Sequence, residues 1–112
     1  MDRKQILECL LETIACISDK NYQKRVWINA EGPEVDSFDE TVCIFLDELE
    51  AVLKDYQQFK ITAVQYPLLK KLFDEFDLFS QKNSLPELFI DTPEWTRITE
   101  MAKEVLGHFK ES

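Results

Sequence analysis

The stretch Ser37-Phe38-Asp39-Glu40-Thr41-Val42-Cys43-Ile44-Phe45-Leu46-Asp47-Glu48-Leu49-Glu50-Ala51-Val52-Leu53-Lys54-Asp55-Tyr56 decides the fold. It opens as a capping box, with Ser37 as N-cap and Glu40 at N3, so each side chain is placed to satisfy a free backbone N–H at the helix start. Phe38, Val42, Phe45, Leu46, Leu49, Val52, Leu53 and Tyr56 then recur at spacings of three and four. Wound as a helix, they fall within about 120° of the circumference. One clean apolar stripe, lasting to about Gln57, has to be buried against another element.

Outward from this helix the same spacing repeats. Residues 2–18 carry Ile6, Leu7, Leu10, Leu11, Ile14 and Ile17 at helical intervals, with Asp2 as N-cap and Asp19-Lys20-Asn21 as a stop. Residues 21–30 are ambiguous. Tyr22, Val26, Trp27 and Ile28 fit a short helix on the 22/26 spacing or a strand, and a short helix or irregular segment is favoured. Glu31-Gly32-Pro33-Glu34 is a break. Downstream, Leu68, Leu69, Leu72, Phe73, Phe76 and Phe79 predict the buried face of a third helix ending at Lys82. Thr62-Ala63-Val64-Gln65 reads as its capping box, but Pro67 would then cost an intrahelical bond, and a start with Pro67 at N1 removes the conflict. Asn83-Ser84-Leu85-Pro86 reads as a loop. A last helix opens at Thr92-Pro93-Glu94 and buries Trp95, Ile98, Met101, Ala102, Val105, Leu106 and Phe109, with Gly107 and Lys110 at a fraying end.

Each helix is amphipathic and none is apolar all round. Residues 1–112 are therefore expected to form a single all-α domain, a compact bundle of four main amphipathic helices with room for one short extra helix. Composition agrees: 112 residues, 45% hydrophobic, with Gly 2 and Pro 4, too few for a turn-rich β-sandwich or a disordered linker. Most of the eight Phe and two Trp are expected in the core.

Catalytic chemistry finds little to stand on. His108 is the only histidine, so a nucleophile–His site would rest on one residue in the last helical turn. There is no Gly-rich phosphate loop, no Gly-x-Gly-x-x-Gly and no His-Glu-x-x-His; Asp36-Ser37-Phe38-Asp39-Glu40 lacks the Gly and terminal Glu of an EF-hand. Cys9, Cys16 and Cys43 are an odd number with no Cys-x-x-Cys pair, and read as reduced thiols in or beside the core. No catalytic residue, cofactor or metal ligand is expected, and the chain is read as a protein other than an enzyme. The absence of a continuous apolar leader, or of a membrane-spanning stretch, leads to the cytoplasm as the expected compartment.

Charge is the informative feature. The net charge is -9, from 13 basic and 22 acidic residues, which disfavours nucleic acid and anionic membrane as partners. Between Arg25 and Lys54 there is no base, whereas Glu31, Glu34, Asp36, Asp39, Glu40, Asp47, Glu48 and Glu50 all fall there. On a helix Glu40, Asp47 and Glu50 project within about 80° of each other, opposite the apolar stripe, with Asp39 beside them. Glu31, Glu34 and Asp36 lead into the same end. A smaller acidic group, Asp74-Glu75-Asp77, lies on the third helix. Acids at a helix start favour the macrodipole, by about 0.3–1 kcal/mol each, and acids on an outer face are solvated. That accounts for single acids, but less well for the missing bases, since like charges three and four apart repel. A basic protein partner would relieve that repulsion. Trp27, beside the acidic loop, reads either as a core anchor or as an aromatic hot spot at the edge of this surface.

Trp27-Ile28-Asn29-Ala30-Glu31-Gly32-Pro33-Glu34, then Ser37-Phe38-Asp39-Glu40 opening an acidic helix, then Asp91-Thr92-Pro93-Glu94-Trp95 before the last helix, together resemble the small immunity proteins that neutralise bacterial toxins such as colicins and contact-dependent inhibition effectors. The resemblance is one of size, helical class and acidic loop–helix arrangement. It implies a stoichiometric inhibitor whose anionic surface covers the basic active site of a cognate, nuclease-like toxin. Partner-binding residues would then be Trp27, Glu31, Glu34, Asp36, Asp39, Glu40, Asp47 and Glu50. The alternative is a helical adaptor or regulatory subunit that uses an apolar groove, with Phe73, Phe76, Phe79 and Phe89 as its aromatic area.

Overall fold

A computed structural model describes residues 3–30 and 37–110. The expected N-cap at Asp2 and the break and acidic residues at Glu31-Gly32-Pro33-Glu34 and Asp36 lie outside the described residues. Within them the chain is all-α, with no strand: α1 (Arg3–Ser18), α2 (Lys20–Tyr22), a π-helical segment (Gln23–Ile28), α3 (Phe38–Lys54), α4 (Gln65–Lys82), α5 (Pro86–Phe89) and α6 (Pro93–Lys110). The four long helices are those the apolar spacing predicts. α1 packs against α3 and α6, and α4 also packs against both, so the four stripes meet in one core. Leu10, Ile14 and Ile17 of α1, Phe38, Phe45, Leu49 and Val52 of α3, Leu69, Leu72, Phe76 and Phe79 of α4, and Trp95, Ile98, Ala102 and Val105 of α6 are buried there. The remaining predicted stripe residues, such as Leu7, Leu46, Phe73 and Leu106, flank it half-buried.

Of residues 21–30, those from 21 to 28 are helical, but not as a simple short α-helix, and Asn29 and Ala30 leave the helix. Asp19 does not merely stop α1. Its carboxylate accepts from the Tyr22 N–H at 3.1 Å and so caps α2, which runs directly into the π-helical segment. There the Asn29 N–H reaches the Lys24 carbonyl at 3.1 Å, five residues back. The wider turn carries both Gln23 and Val26 inward, where both are buried.

Three helix boundaries differ from expectation, each for a local reason. α3 ends at Lys54 rather than near Gln57, and residues 55–60 form a further turn closed by two bonds, Lys60 N–H to the Gln57 carbonyl at 3.2 Å and Ile61 N–H to the Tyr56 carbonyl at 3.0 Å. That pair is the Schellman pattern, with Lys60 left-handed at φ 60 where glycine is usual. α4 begins at Gln65, between the two expected starts. The capping box forms reciprocally: Thr62 N–H donates to Gln65 Oε1 at 2.9 Å, and Gln65 N–H to Thr62 Oγ1 at 3.0 Å. Pro67 then falls in the first turn, where an N–H has no intrahelical partner to lose. Pro86 is not loop. It opens α5, whose Phe89 is buried against Trp95 and Phe79 with ring centroids 4.9 Å apart in both cases. Beyond the four long helices there are thus two short helical insertions, at residues 20–28 and 86–89.

Candidate protein-binding surface

The anionic helix is held in place by an aromatic cluster at its first residue. Phe38 lies 4.8 Å from Phe89, 5.6 Å from Trp27 and 5.9 Å from Trp95, ring centre to ring centre. Trp27 also meets Trp95 at 6.1 Å and Tyr22 at 6.5 Å. Edge-to-face aromatic contacts of this kind add to simple burial. Ser37 caps the same end, its Oγ accepting from the Glu40 N–H at 3.2 Å. Trp27 is therefore a half-buried packing residue at the start of α3.

Along α3, Asp39, Glu40, Asp47 and Glu50 are all exposed. Glu40 and Asp47 are two turns apart, roughly 10 Å along the axis. Among the described residues Asp39, Glu40 and Asp47 enter no ion pair, whereas Glu50 is bridged by Lys54 at 3.0 Å. The first base after the acidic interval thus folds back on its last exposed acid, and the uncompensated part of the surface narrows to the first ten residues of α3. Glu48 does not belong to this face. It is half-buried towards α1, with its Oε2 shut off from solvent and without a hydrogen-bond partner. Glu31, Glu34 and Asp36, expected to extend the surface, are outside the described residues.

Cys43, expected among core or boundary thiols, is exposed. By its helical position it projects between Glu40 and Glu50, so the anionic face carries a thiol at its centre; the spacing that placed the acids places it too. Cys9 and Cys16 are half-buried on α1. The second acidic group is partly compensated: Asp74 pairs with Lys70 at 2.9 Å and Glu75 with Arg97 at 3.1 Å.

The four phenylalanines of the expected apolar groove are not gathered on one open face. Phe76 and Phe89 are buried, Phe79 is buried but borders a cleft, and Phe73 is half-buried at another. The cleft at Phe79, of about 680 Å³, opens between α4 and α6 and is lined by Leu78, Phe79, Pro93 and Ile98 with Lys82, Glu94 and Arg97 at its polar edge. Leu78 is exposed, as are Leu85 and Leu88 nearby in sequence, Leu88 at 73%. Leu78 sits opposite the buried stripe of α4, a signal present in the spacing.

Other chemistry is sparse. His108 is half-buried in the last turns of α6, and its backbone carbonyl accepts from Gln65 Nε2 at 3.4 Å. Among the described residues no three His, Cys, Asp or Glu side chains are placed to hold a metal ion, and no helix is long and apolar enough to cross a membrane. No family model matches the chain, and neither the curated proteins nor the solved structures contain a match to it.

Proposed function

We propose that this chain is a protein-binding module of the immunity or antitoxin type, whose anionic α3 surface covers a basic site on its partner. The reading rests on one observation. Asp39, Glu40 and Asp47 stand exposed and without an ion pair among the described residues, on a helix whose opposite face is locked into the core through Phe38, Phe45, Leu49 and Val52. Like charges on a rigid support cannot relax away from one another, so a cationic partner gains their full field and is steered towards it. The partner class is a basic protein, with a toxin acting on nucleic acid as the most specific form of the proposal. No nucleic acid, membrane or cofactor enters the reading.

The test is co-expression with the product of the neighbouring gene. The native chain is expected to protect the cell, and the Glu40→Lys/Asp47→Lys variant to lose protection while remaining folded. Binding should weaken steeply between low and moderate salt. Alkylation of Cys43 should slow in the complex, since that thiol lies within the covered face. Protection by the charge-reversed variant equal to that of the native chain would overturn the proposal.

A second reading has its own observation. The α4–α6 cleft, with Leu78 exposed, suits an adaptor that takes up an apolar segment of a larger assembly. Salt-insensitive binding that is lost on Leu78→Glu, and kept when α3 is charge-reversed, would favour it.

A further inference from the structure

Helices α1 and α3 do not close completely. A cavity of about 250 Å³ remains between them, lined by Cys9, Glu12, Thr13 and Cys16 from α1 and by Thr41 and Glu48 from α3. Glu48 brings a carboxylate oxygen, Oε2, that has left water without gaining a donor. No side chain lining the cavity donates to it. Thr13 Oγ1 donates to the Cys9 carbonyl at 3.0 Å, and Thr41 and Cys16 have partners of their own. A carboxylate buried in that way is costly, and a protonated carboxyl much less so.

We propose that the α1–α3 seam is a pH-responsive contact: it is tight while the Glu48 carboxyl is protonated, and loosens when Glu48 ionises inside the cavity opposite Glu12.

The groups facing Glu48 leave it no compensation. From α1 these are the Glu12 carboxylate and the Cys9 and Cys16 thiols; the other α3 residues at the cavity, Thr41 and Ile44, are neutral. Lys54 of α3 and Lys70 of α4 lie at a different cleft, on Glu50 and Asp74, and Lys71 and Lys82 of α4 are not among the residues lining this cavity. Lys20 of α2 and Lys103 of α6 meet Thr96 and Glu100 at a third, Arg97 of α6 pairs with Glu75, and Arg3 and Lys4 of α1 are not among the residues lining this cavity. Burial first, and Glu12 second, push the Glu48 carboxyl above its ordinary value of 4.5. A carboxyl raised in the folded state binds its proton more tightly there than in the unfolded chain. Its contribution is therefore complete below 4.5 and is lost as pH rises through the raised value. The device is independent of whatever α3 binds.

The test is a carboxyl carbon NMR titration of the full chain, with thermal melts and amide exchange at about pH 5 and about pH 7. Glu48 should titrate above 4.5 and move down in Glu12→Gln, an exposed and structurally safe change. Exchange at the α1 and α3 amides facing the cavity, corrected for intrinsic rate, should rise several-fold from the lower to the higher pH. Glu48→Gln should flatten that rise, whereas Glu104→Gln, which removes one exposed charge from α6, should leave it parallel to the native chain. A Glu48 midpoint at or below 4.5, or Glu48→Gln parallel to the native chain, would overturn the proposal.

Discussion

The indole Nε1–H of Trp95 donates to the side-chain Oε1 of Gln23 at 2.8 Å, deep in the core and 72 residues away along the chain. Gln23 is fully buried, and its Nε2 donates to the carbonyls of Cys16 at 2.9 Å and Ile17 at 2.7 Å. One amide therefore satisfies two carbonyls at the open end of α1 and the only polar atom of the largest core side chain. A buried network that is complete specifies geometry, because any other arrangement leaves a polar group unpaired. Here it fixes the π-helical segment against α6, and through Trp95 and Trp27 it places Phe38 at the start of α3.

Gln23→Leu keeps the volume but strands the indole N–H and the Ile17 carbonyl, while the Cys16 carbonyl keeps the Asp19 N–H at 3.3 Å. It is expected to cost about 3 kcal/mol, from unsatisfied groups worth roughly 1–3 kcal/mol each with partial relaxation. In a Trp95→Phe background the same change should cost about 1 kcal/mol less, since the donor is already gone. Urea unfolding of the four proteins in this cycle measures the difference; additive costs would mean that the bond contributes nothing.

How much was legible follows from this network. The four long helices and their buried stripes are read directly from periodicity, because a 3.6-residue repeat leaves one packing solution per helix. The capping boxes at Ser37 and Thr62 are legible for the same local reason. Gln23 is not. A polar residue between Tyr22 and Lys24 has no pattern to mark it as buried; its place depends on Trp95 arriving from the far end of the chain. Glu48 likewise reads as part of the acidic stretch, because its neighbours in sequence are acidic, although its helical position turns it towards α1. Exposure of the remaining acids follows from spacing, but pairing of Glu50 with Lys54 follows from how a side chain folds back, which spacing leaves open.

Lys60 occupies a left-handed position at φ 60, closing the turn after α3. A side chain there costs about 1–2 kcal/mol, and glycine gives back about 0.5–1 kcal/mol in backbone entropy. Lys60→Gly should therefore stabilise by about 0.5 kcal/mol, read as a higher urea midpoint with an unchanged slope.

Gly107 lies inside α6, and a Cβ built on it meets no atom within 4 Å. Gly107→Ala should then gain most of the helix-propensity difference, up to about 1 kcal/mol. A smaller gain would measure how far the last turn of α6 frays, and a loss would show that the position packs against something.

Ser37→Ala removes the oxygen that accepts from the Glu40 N–H, and is expected to destabilise by about 1 kcal/mol. Ser37→Asp should recover most of it, since an aspartate caps equally well and favours the positive helix end. If Ser37→Ala and Ser37→Asp melt together, the cap is not what holds the start of α3.

Asp47→Lys separates a surface kept for binding from one that is merely solvated. Asp47 is exposed, one turn before Glu50 and two turns after Glu40, so a lysine there exchanges repulsion for attraction along the helix. Stability should rise slightly, by about 0.2–0.5 kcal/mol. If α3 faces a basic partner, the same substitution should weaken capture at least tenfold at low salt, and the deficit should shrink as salt screens the charge. A change that helps the fold while harming the complex marks a residue whose sign is set by what covers it. A change that helps the fold and leaves capture intact would return Asp47 to the solvated surface and move the binding site elsewhere, with the α4–α6 cleft next in line.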